Sequence, residues 1–147
     1  MSTSPFEQCQ AKINADLNNL KNVQFEVAYV FDKLREYLGK GEKFDVVILD
    51  PPSFTKSKRS VKSALSGYRE INSTAMKILN PGGILATASC SHHISDEMFM
   101  NVIIESSIMA RKKIRLIEWR GASPDHPILP SMPETKYLKF GIFQVID

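Results

Sequence analysis

Two short runs in this sequence pair a reactive side chain with backbone punctuation that would hold it still. Asp50-Pro51-Pro52-Ser53-Phe54 follows the apolar residues Val46, Val47, Ile48 and Leu49, and Ser89-Cys90-Ser91-His92-His93 follows Ile84-Leu85-Ala86-Thr87-Ala88. The first run supplies a carboxylate, a hydrogen-bond acceptor that stabilises positive charge. The second supplies a thiol, which is a nucleophile once ionised. Pro51 and Pro52 have no N–H and restrict the residues before them to extended conformations, so Asp50 is fixed at the end of its run. Lys56, Lys58, Arg59 and Lys62 follow closely and suit either phosphate contact or a solvated face. His92 and His93 read as a polar loop, and Cys9 and Cys90 make no metal-ligand spacing, so no metal site is expected.

The elements that must position these residues follow from periodicity. Four consecutive apolar residues, mostly β-branched, predict a strand over 44–50 buried on both faces, as in a parallel sheet covered by helices. Residues 84–88 predict a second. In open α/β sheets ligands bind at the carboxyl ends of the strands, where Asp50 and Cys90 stand. Apolar spacing of three and four predicts helices over 6–20, 31–38 and 68–79, and a long helix capped by Ser95 with Met98, Phe99, Val102, Ile103, Ile108 and Met109 on its apolar side. Residues 23–27 read as a short strand, 56–62 as a loop, and Asn80-Pro81-Gly82-Gly83 as a turn. Strands over 114–119 and 137–146, separated by Pro124, Pro127, Pro130 and Pro133, are joined without a helix and predict an antiparallel pair.

A chain of 147 residues, 43% hydrophobic and 24% charged, suits one globular domain and excludes a disordered or fibrous class. No apolar run approaches the roughly 18 residues of a membrane span, and the N-terminus lacks signal-peptide character, so a cytosolic protein with reduced thiols is expected. The net charge of +3 is by itself too small to imply a nucleic-acid partner.

Asp-Pro-Pro-x-Phe after a buried strand, Leu-Asn-Pro-Gly-Gly-Ile-Leu, Ser-Cys-Ser, and Asp-His-Pro-Ile with Pro-Glu-Thr-Lys-Tyr-Leu-Lys together resemble a class I S-adenosylmethionine-dependent methyltransferase. The nearest likeness is to the ribosomal RNA large-subunit cytosine-C5 methyltransferases. The resemblance implies a Rossmann-like α/β sheet whose last two strands are antiparallel. Family members carry a Gly-rich cofactor turn after their first strand, and an acid near the adenine where this chain has Ala28 and Tyr29. The seven glycines here form no Gly-x-Gly-x-x-Gly. The resemblance therefore implies a partial sheet, with residues 1–147 a single domain forming the C-terminal portion of a catalytic domain.

By that resemblance Cys90 is the nucleophile that adds to C6 of cytosine, and Asp50 stabilises charge at N3 and the exocyclic amine. Pro51, Pro52, Phe54, Lys56, Lys58, Arg59 and Lys62 border the RNA, with Phe54 either stacking on a flipped base or packing in the core. Asp50 and Pro51 border S-adenosylmethionine, the implied cofactor. Two other readings compete: an amino-methyltransferase acting on adenine or protein, in which an aromatic usually follows the second Pro directly, and a non-catalytic RNA-binding or assembly fragment. Because the family's first strand has no counterpart here, strand 46–50 is expected to be an open edge, covered by residues 23–27 or by a second copy in a symmetric dimer.

Overall fold

A run such as Val46 to Leu49 satisfies its backbone only in a ladder and loses its side chains from water only under a covering layer, and both conditions shape the architecture. The computed structural model describes residues 5–55 and 58–146, with side chains from residue 10 onward apart from that of Lys58. Four helices, α1 (Pro5–Leu17), α2 (Val30–Lys40), α3 (Val61–Ile78) and α4 (Asp96–Ala110), accompany four strands, β1 (Phe44–Leu49), β2 (Leu79–Ser89), β3 (Ile114–Arg120) and β4 (Lys139–Val145). The strands form one sheet in the order β1-β2-β4-β3. β1 and β2 are parallel, while β4 runs antiparallel to both β2 and β3. The expected α/β class and the antiparallel C-terminal pair are both present.

The chain divides into two compact units, one up to Lys33 and one from Leu34 onward. In the first, α1 ends where Asn19 takes a left-handed conformation (φ 56°) and Leu20 N–H returns to Ala15 O at 2.9 Å, a helix stop for which asparagine is suited. The second holds the whole sheet with α3 and α4. Tyr68, Phe99 and Phe143 are fully buried there, and burial of a large apolar side chain is worth roughly 1.5–3 kcal/mol. Ser95 Oγ accepts the N–H of Met98 at 3.1 Å, so the predicted cap sets the start of α4. A Cβ on Gly141 would lie 2.5 Å from Phe143 Cε2 and 3.0 Å from Trp119 Cε3; glycine there lets both rings pack over β4.

Four expectations are corrected. Residues 23–27 form no strand, because no ladder partner lies beside them and an apolar alternation without one has nowhere to place its backbone groups. The basic segment is not all loop: Lys58–Ser60 is a 3₁₀ turn leading into α3, which starts at Val61, since Val61, Ala64, Tyr68 and Ile71 continue the helical spacing backwards. Residues 80–83 do not separate helix from strand. They bulge within β2, where the register passes from Phe44↔Leu79 to Val46↔Ile84 and Gly82 has φ 82°. On α4, Ile108 and Met109 point outward, 70% and 54% exposed, while Phe99, Val102, Ile103 and Ala110 face the core.

Candidate active site

Parallel pairing of β1 with β2 ends at Leu49↔Thr87, so both chains leave the sheet at the same edge. β1 exits through Asp50 and Pro51, and β2 through Ser89 and Cys90. The Cys90 thiol is half-buried and donates towards Pro51 O at 3.9 Å, which sets it directly against the Asp-Pro-Pro turn. Asp50 is exposed, and its carboxylate makes no hydrogen bond or ion pair among the described residues. An acceptor thus stands open at the strand end beside a thiol.

A buried chain of hydroxyls ties these two exits together. Ser53 Oγ donates to Thr55 O at 2.6 Å and shares a 2.8 Å hydrogen bond with Ser91 Oγ. Ser91 Oγ lies 3.2 Å from Tyr68 Oη, and Ser89 Oγ donates to Tyr68 Oη at 3.1 Å. One tyrosine from α3 therefore fixes the residues on either side of Cys90, and Ser53 fixes the Asp-Pro-Pro turn to the same point. Each such bond contributes about 1 kcal/mol, and more is at stake where a buried hydroxyl would lose its partner.

Behind the turn lies a buried cation. Lys139 is 1% exposed, and its Nζ donates to Ser91 O at 2.6 Å and Tyr137 O at 2.8 Å. Burial pushes its pKa below the ordinary lysine value, against the opposing pull of Asp96 and Cys90. Asp96 itself accepts from Trp119 Nε1 at 3.0 Å and pairs with Lys136 at 3.0 Å. Its burial would raise the carboxyl pKa, but the hydrogen bonds from Lys136 and Trp119 outweigh that and hold it below the usual value.

The structure brings Cys90, Pro51 and Ser53 together and leaves other candidates further out. Phe54 is half-buried and its ring lies 4.5 Å from that of Tyr68, the packing reading of this aromatic. Pro52, Arg59 and Lys62 are exposed, while Lys56 and the side chain of Lys58 lie outside the described residues. The rings of His92 and His93 face each other at 3.8 Å, and among the described residues no cluster of three or more metal-ligating side chains occurs. Tyr68, Ser91 and Lys139 were not legible as site residues from motif spacing. For Lys139 a signal existed: it shares the buried face of β4 with Gly141, Phe143 and Val145 at period two.

Residues 7–129 match the family described as methyltransferase domain. The chain belongs to that family. Among curated relatives named ribosomal RNA large subunit methyltransferase I, the one from Photobacterium profundum is 44% identical over 131 residues, covering 88% of this chain and 33% of the relative. That from Vibrio campbellii is 44% identical over 133 residues, covering 88% and 34%. The methyltransferase domain described here thus spans about a third of the length of the curated relatives it matches. A protein from Streptococcus mutans assigned as a SAM-dependent methyltransferase superposes with a TM-score of 0.81 over 97% of this chain and 36% of its own, at 19% identity. A methyltransferase homologue from Pyrococcus horikoshii gives 0.65 over 96% and 50%, at 17% identity. At these identities the structural likeness establishes the fold, and the fold alone does not assign chemistry.

Proposed function

We propose that this chain carries the substrate-facing part of an S-adenosylmethionine-dependent ribosomal RNA methyltransferase that modifies C5 of cytosine, with Cys90 as nucleophile. The observation that carries the reading is the Cys90 thiol lying 3.9 Å from Pro51 O, a strand-end thiol pressed against the carboxylate-bearing turn of the neighbouring parallel strand. The names of the relatives support ribosomal RNA as the substrate class. In this reading residues 1–147 belong to one catalytic domain and work in the cytosol; no described helix is long and apolar enough to cross a membrane.

The chemistry uses each of these groups. C5 of cytosine is a weak nucleophile until sulfur adds to C6. The Cys90 thiolate forms the S–C6 bond and the π pair moves toward C5, while N3 takes up a proton. Asp50, open at the strand end, accepts hydrogen bonds from the exocyclic amine and from protonated N3 and so stabilises the charge gained there. S-adenosylmethionine, when bound, supplies the electrophilic methyl group that C5 receives. Loss of the C5 proton then restores the ring double bond as the C6–S bond breaks and returns Cys90. Asp50 and Pro51 fit the methyl-bearing end of the cofactor, whereas the seven glycines provide no Gly-x-Gly-x-x-Gly turn for the remainder. Calorimetric titration of the chain with S-adenosylmethionine tests how much of the site it holds: weak or absent heat fits a partial site, and submicromolar affinity contradicts it.

Arg59 and Lys62, exposed at the start of α3, are proposed to contact RNA phosphates together with Lys56 and Lys58. The outer edge of β1 is proposed to pair two copies of the chain. Val46 is 54% and Ile48 69% exposed, and among the described strands β1 pairs with β2 alone.

A further inference from the structure

A buried lysine normally finds a carboxylate; Lys139 has none. It is 1% exposed, and among the described residues its ammonium reaches only two carbonyl oxygens, Ser91 O at 2.6 Å and Tyr137 O at 2.8 Å. Carbonyls satisfy the donors without neutralising the charge, so a net positive charge stays inside the fold at a cost that packing alone does not require. A leucine or methionine would fill the same face of β4 beside Phe143 and Val145 without that cost. The charge is placed with respect to one group above all. Register pairing sets Lys139 opposite Ser89, and the chain turns through Cys90 before Ser91 presents its carbonyl to the ammonium.

We propose that Lys139 is the positioning residue of this site: its buried ammonium holds the turn carrying Cys90 through Ser91 O and faces the thiol with a charge that favours the thiolate. The proposal rests on the reading of Cys90 as nucleophile and supplies what that reading lacks, a source of activation, since His92 and His93 stack on each other and His92 is exposed. Asp96 at the start of α4 and Lys136 before β4 also act on the lysine, with opposite signs. Asp96 is engaged by Lys136 and Trp119, and Lys139 interacts electrostatically with Cys90 on its other side. A neutral side chain at position 139 would keep the strand and lose the field.

Iodoacetamide alkylation of Cys90 in the intact chain, followed by peptide-resolved mass spectrometry to separate it from Cys9, reads the thiolate directly, because only the anion displaces iodide at a useful rate. Rates are measured from about pH 6 to about pH 10 for wild type, Lys139→Gln, Lys139→Met and Lys139→Arg. Lys139→Gln keeps a donor for a carbonyl and loses the charge. The expected result is a rate about threefold to tenfold lower near neutral pH for the Gln and Met variants, with a profile displaced to higher pH and restored toward wild type by Arg. Folded Gln and Met variants whose profiles overlay wild type overturn the proposal, since a purely structural brace would leave the pH profile in place. If neither uncharged variant folds, wild type decides against a Ser-Cys-Ser peptide: levelling off at lower pH than the peptide supports the proposal, and a coincident profile overturns it. Alkylation reports the state of the thiol whether or not it attacks cytosine, so failure here and failure of the nucleophile reading are separate results.

Discussion

Tyr68→Phe removes one oxygen and leaves the ring, so it isolates the hydroxyl chain from the aromatic packing around it. The ring keeps its neighbours, Phe54 at 4.5 Å and Phe99 at 5.5 Å. What is lost is the hydrogen bond from Ser89 Oγ at 3.1 Å and the one shared with Ser91 Oγ at 3.2 Å. At about 1 kcal/mol each the two bonds amount to about 2 kcal/mol. Ser91 retains Ser53, but the buried Ser89 hydroxyl keeps only a long 3.4 Å contact from Ser91 N–H, so the loss should not fall below about 1 kcal/mol. For a chain of this size that corresponds to a drop in melting temperature of about 4–8 °C. Urea unfolding of wild type, Tyr68→Phe, Ser89→Ala and the double variant measures it, and the two changes should be less than additive because they break one shared bond. A loss under about 0.5 kcal/mol, or strict additivity, refutes the claim that Tyr68 fixes the turn around Cys90.

Acid stability gives a second test through Asp96. Its carboxyl pKa is lowered in the fold, so its contribution is present above the unfolded value of about 3.9 and is lost as pH falls through the folded value. Asp96→Asn should be less stable than wild type at neutral pH and show a shallower decline on acidification; parallel curves in pH-dependent thermal unfolding contradict this. Replacing Lys56, Lys58, Arg59 and Lys62 by glutamine should weaken RNA binding and flatten the slope of log affinity against log salt by about 0.7 for each lost phosphate contact, and an unchanged slope returns the segment to a solvated face. Light scattering should find a dimer with slow amide exchange at Val46 to Leu49, whereas a monomer with rapid exchange there shows the β1 edge left uncovered.

What the sequence made legible was what local rules govern. The apolar run ending at Asp50 and the Ser95 cap depend on neighbours along the chain, and both fall where periodicity and capping chemistry put them. Residues 23–27 failed because a strand is defined by a partner that no local pattern names. The start of α3 was hidden by Lys58, Arg59 and Lys62, whose charges masked a spacing that Val61 and Ala64 already continued. Within the site, Cys90 and Asp50 announced themselves by residue type at strand ends, and their approach through Pro51 followed from parallel pairing. Tyr68 and Lys139 did not, since a tyrosine on a helix and a lysine before a glycine become site residues only when the fold brings their polar tips to the same turn.

The role of Cys90 is tested most directly by covalent capture on RNA. A chimera in which this chain replaces the aligned segment of the Photobacterium profundum relative, incubated with S-adenosylmethionine and an RNA carrying 5-fluorocytosine, should form a stable protein–RNA adduct, because fluorine at C5 blocks the final elimination. The account predicts an adduct mapped to Cys90 and its loss in Cys90→Ser; an adduct of undiminished yield in Cys90→Ser contradicts it.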